Sequence, residues 1–176
     1  MFGGYGYIHE YGIEQTLRDS RVSMLYEGTN EIQAIDLLVR KVLPDGAGAL
    51  DILLRHVRAE ARLCQESDPL VRSAGAKLGQ LAEIVGNTTR MIKARHAQDP
   101  ETAYRVADDY LAMLGWMLLA FAWARTLRIA TPQCEAEAFY VEKRDTGRFF
   151  FDYPLAAFAY RRSLVEAGCE AALPYV

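Results

Sequence analysis

The sequence predicts an all-α protein: a helical bundle of about five helices preceded by a short N-terminal segment. Three observations predict it. Apolar residues recur at steps of three and four along most of the chain, the spacing of one face of a helix. Sustained period-two alternation, the mark of a half-buried strand, is almost absent. Prolines are few, six in 176 residues, and stand where helices would start or stop.

The elements follow in order. GGYGY at 3–7 reads as a loop entering a helix near Glu10. Ile35, Leu38, Val39 and Val42 fall on one face of a helix that ends near Leu43. PDGAGA at 44–49 is turn-rich and marks a boundary, after which a helix is expected over 50–65. Asp68 and Pro69 then supply an N-cap and a first helical residue. Leu70, Ala74, Leu78, Leu81, Val85, Thr88 and Ile92 make the long seam that follows, with Arg72, Glu83, Asn87, Arg90 and Lys93 on the other side. Asp99 and Pro100 repeat the start signal for a helix that becomes apolar all round after Tyr110, which places it centrally in a bundle. Gly115 within it either permits close packing or is a plain local cost. Pro132 breaks the chain, and helices over 134–151 and 154–167 complete it, with Gly168 as the expected stop.

Composition limits function. Hydrophobic content of 51% and charged content of 24% suit a soluble globular chain. A net charge of −3 gives no electrostatic reason to expect nucleic acid or an anionic membrane. Cys64, Cys134 and Cys169 are odd in number and widely spaced, without disulfide-framework or zinc spacing, so a reducing cytoplasmic setting is expected. The apolar stretch at 110–124 is shorter than the ~20 residues that span a bilayer and reads as a core helix, so no transmembrane segment is expected. The first twelve residues have neither the basic nor the apolar region of a signal peptide.

Few residues offer chemistry. GGYGYI continues to His9 rather than glycine and follows no strand, so it fails as a dinucleotide fingerprint. His9, His56 and His96 share no ligand spacing, and no metal is expected. No Ser or Cys sits in a nucleophile motif. RFFFDY at 148–153 reads as core and helix-terminus packing, and AYRRS at 159–163 as a solvated face. YEGTNEIQ at 26–33 is different. Thr29 or Asn30 caps a helix and Glu31 suits its first turn. Glu27 lies outside that helix, beside Gly28, which frees the backbone. A carboxylate so placed is either an ordinary surface glutamate or a general base for a substrate held against the turn.

Taken together, residues 2–33 resemble the closing segment of the catalytic domain of the acyl-CoA dehydrogenase family. The match runs through Gly3, Gly4, Gly6 and Tyr7, then Glu10, Tyr11, Glu14, Arg18 and Asp19, then YEGT at 26–29, Ile32 and Gln33. It covers more than thirty contiguous residues with the family's internal spacing. The resemblance implies that Glu27 is the catalytic base, that Tyr26 and Gly28 line the substrate site, and that Thr29, Asn30 and Glu31 approach FAD. It implies that Phe2, Gly3 and Gly4 contact FAD, commonly from a neighbouring subunit, with Glu31 departing from the smaller or neutral residue usual there. The implied reaction removes the α-proton of an acyl-CoA thioester as the β-hydrogen leaves as hydride to the flavin. A trans-2-enoyl-CoA results, and electrons pass to an electron-transferring flavoprotein.

Residues beyond Leu50 resemble the extra C-terminal helical domain of a larger-subunit branch of that family, similar to 3-methylmercaptopropionyl-CoA dehydrogenase, through DYLAMLGWMLLAFAWAR and FYVEKRDTGRFF. Three segments are therefore expected: 1–43 as the end of the catalytic domain, 44–49 as linker and 50–176 as the extra domain. Met1 is expected to be an internal methionine of a longer protein, and this chain on its own to be inactive and to bind FAD weakly or not at all. Self-association into a homo-oligomer is expected through the faces so exposed. The alternative is a non-catalytic helical module that packs against partners. An acyl-CoA oxidase is the third reading, distinguished by oxygen consumption during turnover.

Overall fold

A computed structural model describes residues 2–23, 25–26, 29–46 and 48–171. Among them there is no strand, and the all-α class is borne out. Two 3-10 turns, Gly3–Tyr7 and His9–Tyr11, lead into α1, Ile13–Val22. The reversal between them and the helix is made at Gly12, whose φ of 67° lies in the left-handed region that favours glycine. Helix α2, Asn30–Ile35, continues without a break as a π-helical segment, Asp36–Val42. The five bundle helices follow: α3, Ala49–Leu63; α4, Pro69–His96; α5, Glu101–Ala130; α6, Ala138–Asp152; and α7, Ala156–Glu170.

Local chemistry explains the starts of α3, α4 and α5. An Asp45 carboxylate oxygen accepts from the Leu50 N–H at 3.1 Å, supporting the start of α3. Asp68 caps α4 by accepting from the Leu70 N–H at 2.8 Å, with Pro69 at the first helical position. Asp99 does the same for α5, taking the Glu101 N–H at 3.1 Å and the Thr102 hydroxyl at 3.2 Å. Arg105 lies 2.6 Å from that carboxylate and, as the largest influence, holds Asp99 below the usual carboxylate range.

Helix α5 is the centre of the bundle, with α2, α3, α4, α6 and α7 packed round it. Ala103, Val106, Tyr110, Met113, Met117, Ala120, Ala124 and Leu127 are almost completely buried along it. Its outer face is open, however, with Leu118 42% and Leu119 48% exposed, so it is not covered all round. By length and composition alone it could also cross a membrane. The α4 seam matches its expected positions, apart from Leu70, which is only half-buried. Trp116 and Trp123 each stack with Phe150, with ring centres 6.2 and 6.3 Å away, and Phe150 and Phe151 are both buried at the end of α6. Phe149 and Tyr153 of the same aromatic run face outward.

Three expectations change in the folded chain, and one left open, at Gly115, is decided. Gly168 does not stop α7, which continues to Glu170; a Cβ there would stand 2.7 Å from Val106 Cγ1, so the glycine serves the close approach of α7 to α5. Gly115 has nothing within 4 Å of its missing Cβ, which leaves the local cost as its role. Helix α6 begins at Ala138 rather than near Cys134, because Glu137 is extended (φ −148°, ψ 139°) after the 3-10 turn Thr131–Gln133. Arg161 is not simply solvated: it reaches Asp109 at 2.6 Å and ties α7 to α5.

Candidate functional site

The N-terminal segment places its residues in two groups. Phe2, Gly3 and Gly4 form or precede the first 3-10 turn, which packs on α1. Gly3 has φ 54°, and Phe2 stands edge-on to Tyr11 with ring centres 6.4 Å apart. Phe2, Tyr5 and Tyr11 are all more than half exposed. Below them Glu14 gathers a polar knot: the Arg18 guanidinium donates to it at 2.6 and 3.1 Å, and His9 Nδ1 lies 3.1 Å away. Arg18 first and His9 second hold the Glu14 carboxyl below its usual range. The Glu14–Arg18 spacing of four was readable in sequence as a helical pair; the His9 contact was not.

The second group is the end of α2. Tyr26 lies in an exposed turn whose N–H donates to the Val22 carbonyl at 3.1 Å. Thr29 is extended (φ −70°, ψ 166°) and is the N-cap, with Asn30 and Glu31 opening the helix on an exposed surface. Glu27 and Gly28, the expected base and its glycine, lie outside the described residues.

Helix α2 and its continuation run for thirteen residues, long enough for an effective N-terminal positive pole. That pole suits a polar or anionic part of a flavin. In this structure the Glu31 carboxylate already takes it, accepting from its own backbone N–H and from the Thr29 hydroxyl, in that order of effect, which lowers its pKa. Thr29, Asn30 and Glu31 thus present one exposed polar helix end, while the hollows of the bundle are lined by residues from Val42 onward.

Elsewhere the bundle offers hollows that sequence reasoning missed, because they are built across helices, and two of them bring together chemically distinct groups. One of about 320 Å³ lies between α3 and α4, where Arg58, Arg90 and Lys93 meet Asp51, Leu50 and Leu54. The other, about 390 Å³ and mostly apolar, lies between α5 and α6 under Trp123, Ile129, Phe139 and Tyr140. Two polar pairs are enclosed. Glu60, nearly buried, accepts from Arg128 at 2.6 and 3.2 Å, and the Thr89 hydroxyl meets Tyr110 Oη at 2.7 Å. Burial pushes Tyr110 up to about 12 against the opposing effect of that hydrogen bond. Among the described residues no group of three or more potential metal ligands occurs.

Comparison with known proteins adds a separate line. A family model described as acyl-CoA dehydrogenase, C-terminal domain, matches residues 1–43, and one described as acetyl-CoA dehydrogenase C-terminal like matches residues 53–174. A 3-methylmercaptopropionyl-CoA dehydrogenase from Ruegeria pomeroyi is 32% identical over 142 residues, 77% of this chain and 23% of that protein. A broad-specificity linear acyl-CoA dehydrogenase from Mycobacterium tuberculosis is 27% identical over 180 residues, 93% of this chain and 29% of that protein. An acyl-CoA dehydrogenase from Bacillus subtilis is 50% identical over 46 residues, 26% of this chain and 12% of that protein. The chain therefore spans less than a third of the length of each of these relatives.

Proposed function

Given that the chain belongs to the acyl-CoA dehydrogenase family, we propose that it carries the base-bearing turn and an auxiliary helical domain of an FAD-dependent acyl-CoA dehydrogenase. Glu27 is the base that takes the α-proton of an acyl-CoA thioester, and Tyr26 and Gly28 border the substrate. The observation that carries this reading is the position of Glu27: two residues before the Thr29 cap of an exposed helix, within the stretch matched by the acyl-CoA dehydrogenase, C-terminal domain, family model.

The chemistry follows from that position. A carbon-bound proton beside a thioester is only weakly acidic, so its base needs contact distance and a site drained of water. Gly28 has no side chain to block the thioester, and backbone N–H groups of the turn can donate to the carbonyl oxygen as enolate charge develops. Thr29, Asn30 and Glu31 would hold a polar edge of the flavin, with Phe2, Gly3 and Gly4 contributing from their own turn. When bound, the flavin supplies the acceptor for the β-hydrogen.

The partners proposed with this reading are an acyl-CoA substrate and an electron-transferring flavoprotein. Exposed Leu17, Val22, Leu25 and Ile32 favour assembly with further protein, including a homo-oligomer. Three free cysteines, two of them buried, accord with a cytoplasmic setting. The bundle of α3 to α7 is proposed to act through packing.

Glu27→Gln in the flavin-loaded dehydrogenase carrying this segment tests the assignment. Flavin reduction by substrate is expected to fall by about 10²–10⁴-fold, the range of a lost general base, with the flavin absorbance retained. Normal exchange of the substrate α-proton in that variant would sink it. The 176 residues alone are expected to purify without stoichiometric flavin, and a yellow, fully loaded chain would contradict that.

A further inference from the structure

We propose that the hollow between α3 and α4 is a binding site for a phosphate monoester carried on a small hydroxyl-bearing molecule, with Arg58, Arg90 and Lys93 holding the phosphate. This gives the bundle a binding role beside its packing role, and it does not depend on the reading of Glu27 as base.

The hollow is built where the two helices run antiparallel: Gly75 of α4 faces Cys64, and Gly86 faces Leu54 of α3. At Gly86 the missing Cβ leaves room, its place lying 3.5 Å from Leu54 Cδ1 and 3.8 Å from Arg58 Nη2. The Arg58 guanidinium therefore lies over α4 at this glycine. Arg90 follows four residues along α4 and Lys93 three residues later, the spacing of one helix face. Leu54 is buried at the floor, and the hollow holds about 320 Å³. That volume is ordinary for a small-molecule site and leaves room beyond an inorganic anion.

Charge selects the ligand. Among the described residues neither Arg90 nor Lys93 has a carboxylate within 4 Å, and Arg58 has Glu83 at 3.9 Å, a loose pairing. Arg90 donates to the neutral Asn87 amide oxygen. By contrast, Arg105, Arg128 and Arg161 each meet a carboxylate at 2.6 Å. Three weakly neutralised cations facing one hollow from two walls match an anion with several acceptor oxygens and more than one negative charge. A phosphate monoester carries about −1.5 to −2 at neutral pH and three such oxygens. The rest of the lining fits the body that bears it. Leu50 and Leu54 are apolar, and the exposed Asp51 carboxylate can accept from a hydroxyl. Asp45 lines the hollow too and already accepts the Leu50 N–H at 3.1 Å. This chemistry has two sources: a free nucleotide or sugar phosphate, and coenzyme A, whose ribose bears a 3′-phosphate.

Calorimetric titration of the 176-residue chain at low salt tests this, with inorganic phosphate, AMP, CoA and dephospho-CoA as probes. AMP or CoA is expected to bind saturably at one site per chain, at least about tenfold tighter than inorganic phosphate, because the lining beyond the cations meets the ribose. Arg90→Gln and Lys93→Gln, both at exposed positions, should each weaken that binding about tenfold, the worth of a hydrogen bond to a charged group. Arg72→Gln, elsewhere on α4, should leave it unchanged and so separates a site from diffuse charge. Gly86→Ala places a methyl at ordinary packing distance from Leu54 and Arg58, so Tm should hold or rise while binding falls. Binding of AMP supports the site and assigns a free nucleotide or sugar phosphate. Binding of CoA with dephospho-CoA at least about tenfold weaker supports it and assigns the coenzyme's 3′-phosphate. The proposal is overturned if neither AMP nor CoA binds saturably at millimolar concentration, or if CoA and dephospho-CoA bind equally and AMP not at all. Binding undiminished in Arg90→Gln and Lys93→Gln, or lost equally in Arg72→Gln, overturns it as well.

Discussion

Two glycine-to-alanine substitutions in adjoining helices are expected to change stability in opposite directions. At Gly75 in α4, an added Cβ would stand 2.4 Å from Cys64 Cβ and 2.9 Å from the Ala61 carbonyl oxygen. Carbon atoms pack at about 3.5–4.0 Å, so α3 and α4 would have to part locally by roughly 1 Å. Neither opposing atom is the far end of a flexible side chain, so the backbones must yield. Overpacking of this kind costs about 1–3 kcal/mol and here falls at the upper end; the gain in helix propensity returns about 1. The net is a loss of about 2 kcal/mol for Gly75→Ala. At Gly115 in α5 nothing lies within 4 Å of the new methyl, so only the propensity gain of about 1 kcal/mol remains. For a chain of this size these values correspond to a fall in Tm of about 4–8 °C and a rise of about 2–4 °C. Urea titrations and thermal scans followed by far-ultraviolet circular dichroism would measure both. A Gly75→Ala chain as stable as the parent would refute the close crossing of α3 and α4. A destabilised Gly115→Ala would show that the outer face of α5 is covered.

Other outcomes are expected from the enclosed polar groups. Tyr110 keeps its proton in the folded state up to about 12, against the ordinary tyrosine value of 10.0, so the sign is fixed. Its contribution is fully present below pH 10 and is lost as pH rises from 10 to about 12, amounting to about 2–3 kcal/mol. Tyr110→Phe should flatten that alkaline limb in urea titrations at stepped pH and cost about 1 kcal/mol at neutral pH for the Thr89 bond; an unchanged limb would assign it to other groups. Arg128→Met would strand the carboxylate of Glu60, which is 6% exposed, and should destabilise by about 3 kcal/mol. The double variant with Glu60→Gln should recover part of that loss, and a double variant no better than the single would place the cost in packing.

Much of the fold was legible because helix starts are local events. Asp68 with Pro69, and Asp99 just ahead of Glu101, reach N–H groups two residues away, and a window of a few residues contains the whole interaction. The seam of α4 was readable for the same reason, since 3.6-residue periodicity needs no partner to be seen. The candidate site was legible as a contiguous motif, residues 26–33, whose order is unaffected by what packs against it. Family membership came from the same stretch and from the pattern beyond residue 50.

What the tertiary structure decided depends on distances between residues far apart in the chain. Gly168 looked like a helix stop and proved to be the contact point for Val106, sixty-two positions earlier. Gly115 could have been either a close contact or a local cost, and only the empty space beside it chose. Arg128 finds Glu60 on another helix, and Arg161 finds Asp109, by contacts that no local spacing encodes. The π-helical segment belongs here too. Its residues are ordinary helix formers, and the segment packs on α5, a neighbour far along the chain. Caps and periodicity are set within a few residues by backbone hydrogen bonding; crossings, pairings and register are set where two surfaces meet, and that information is in neither stretch alone.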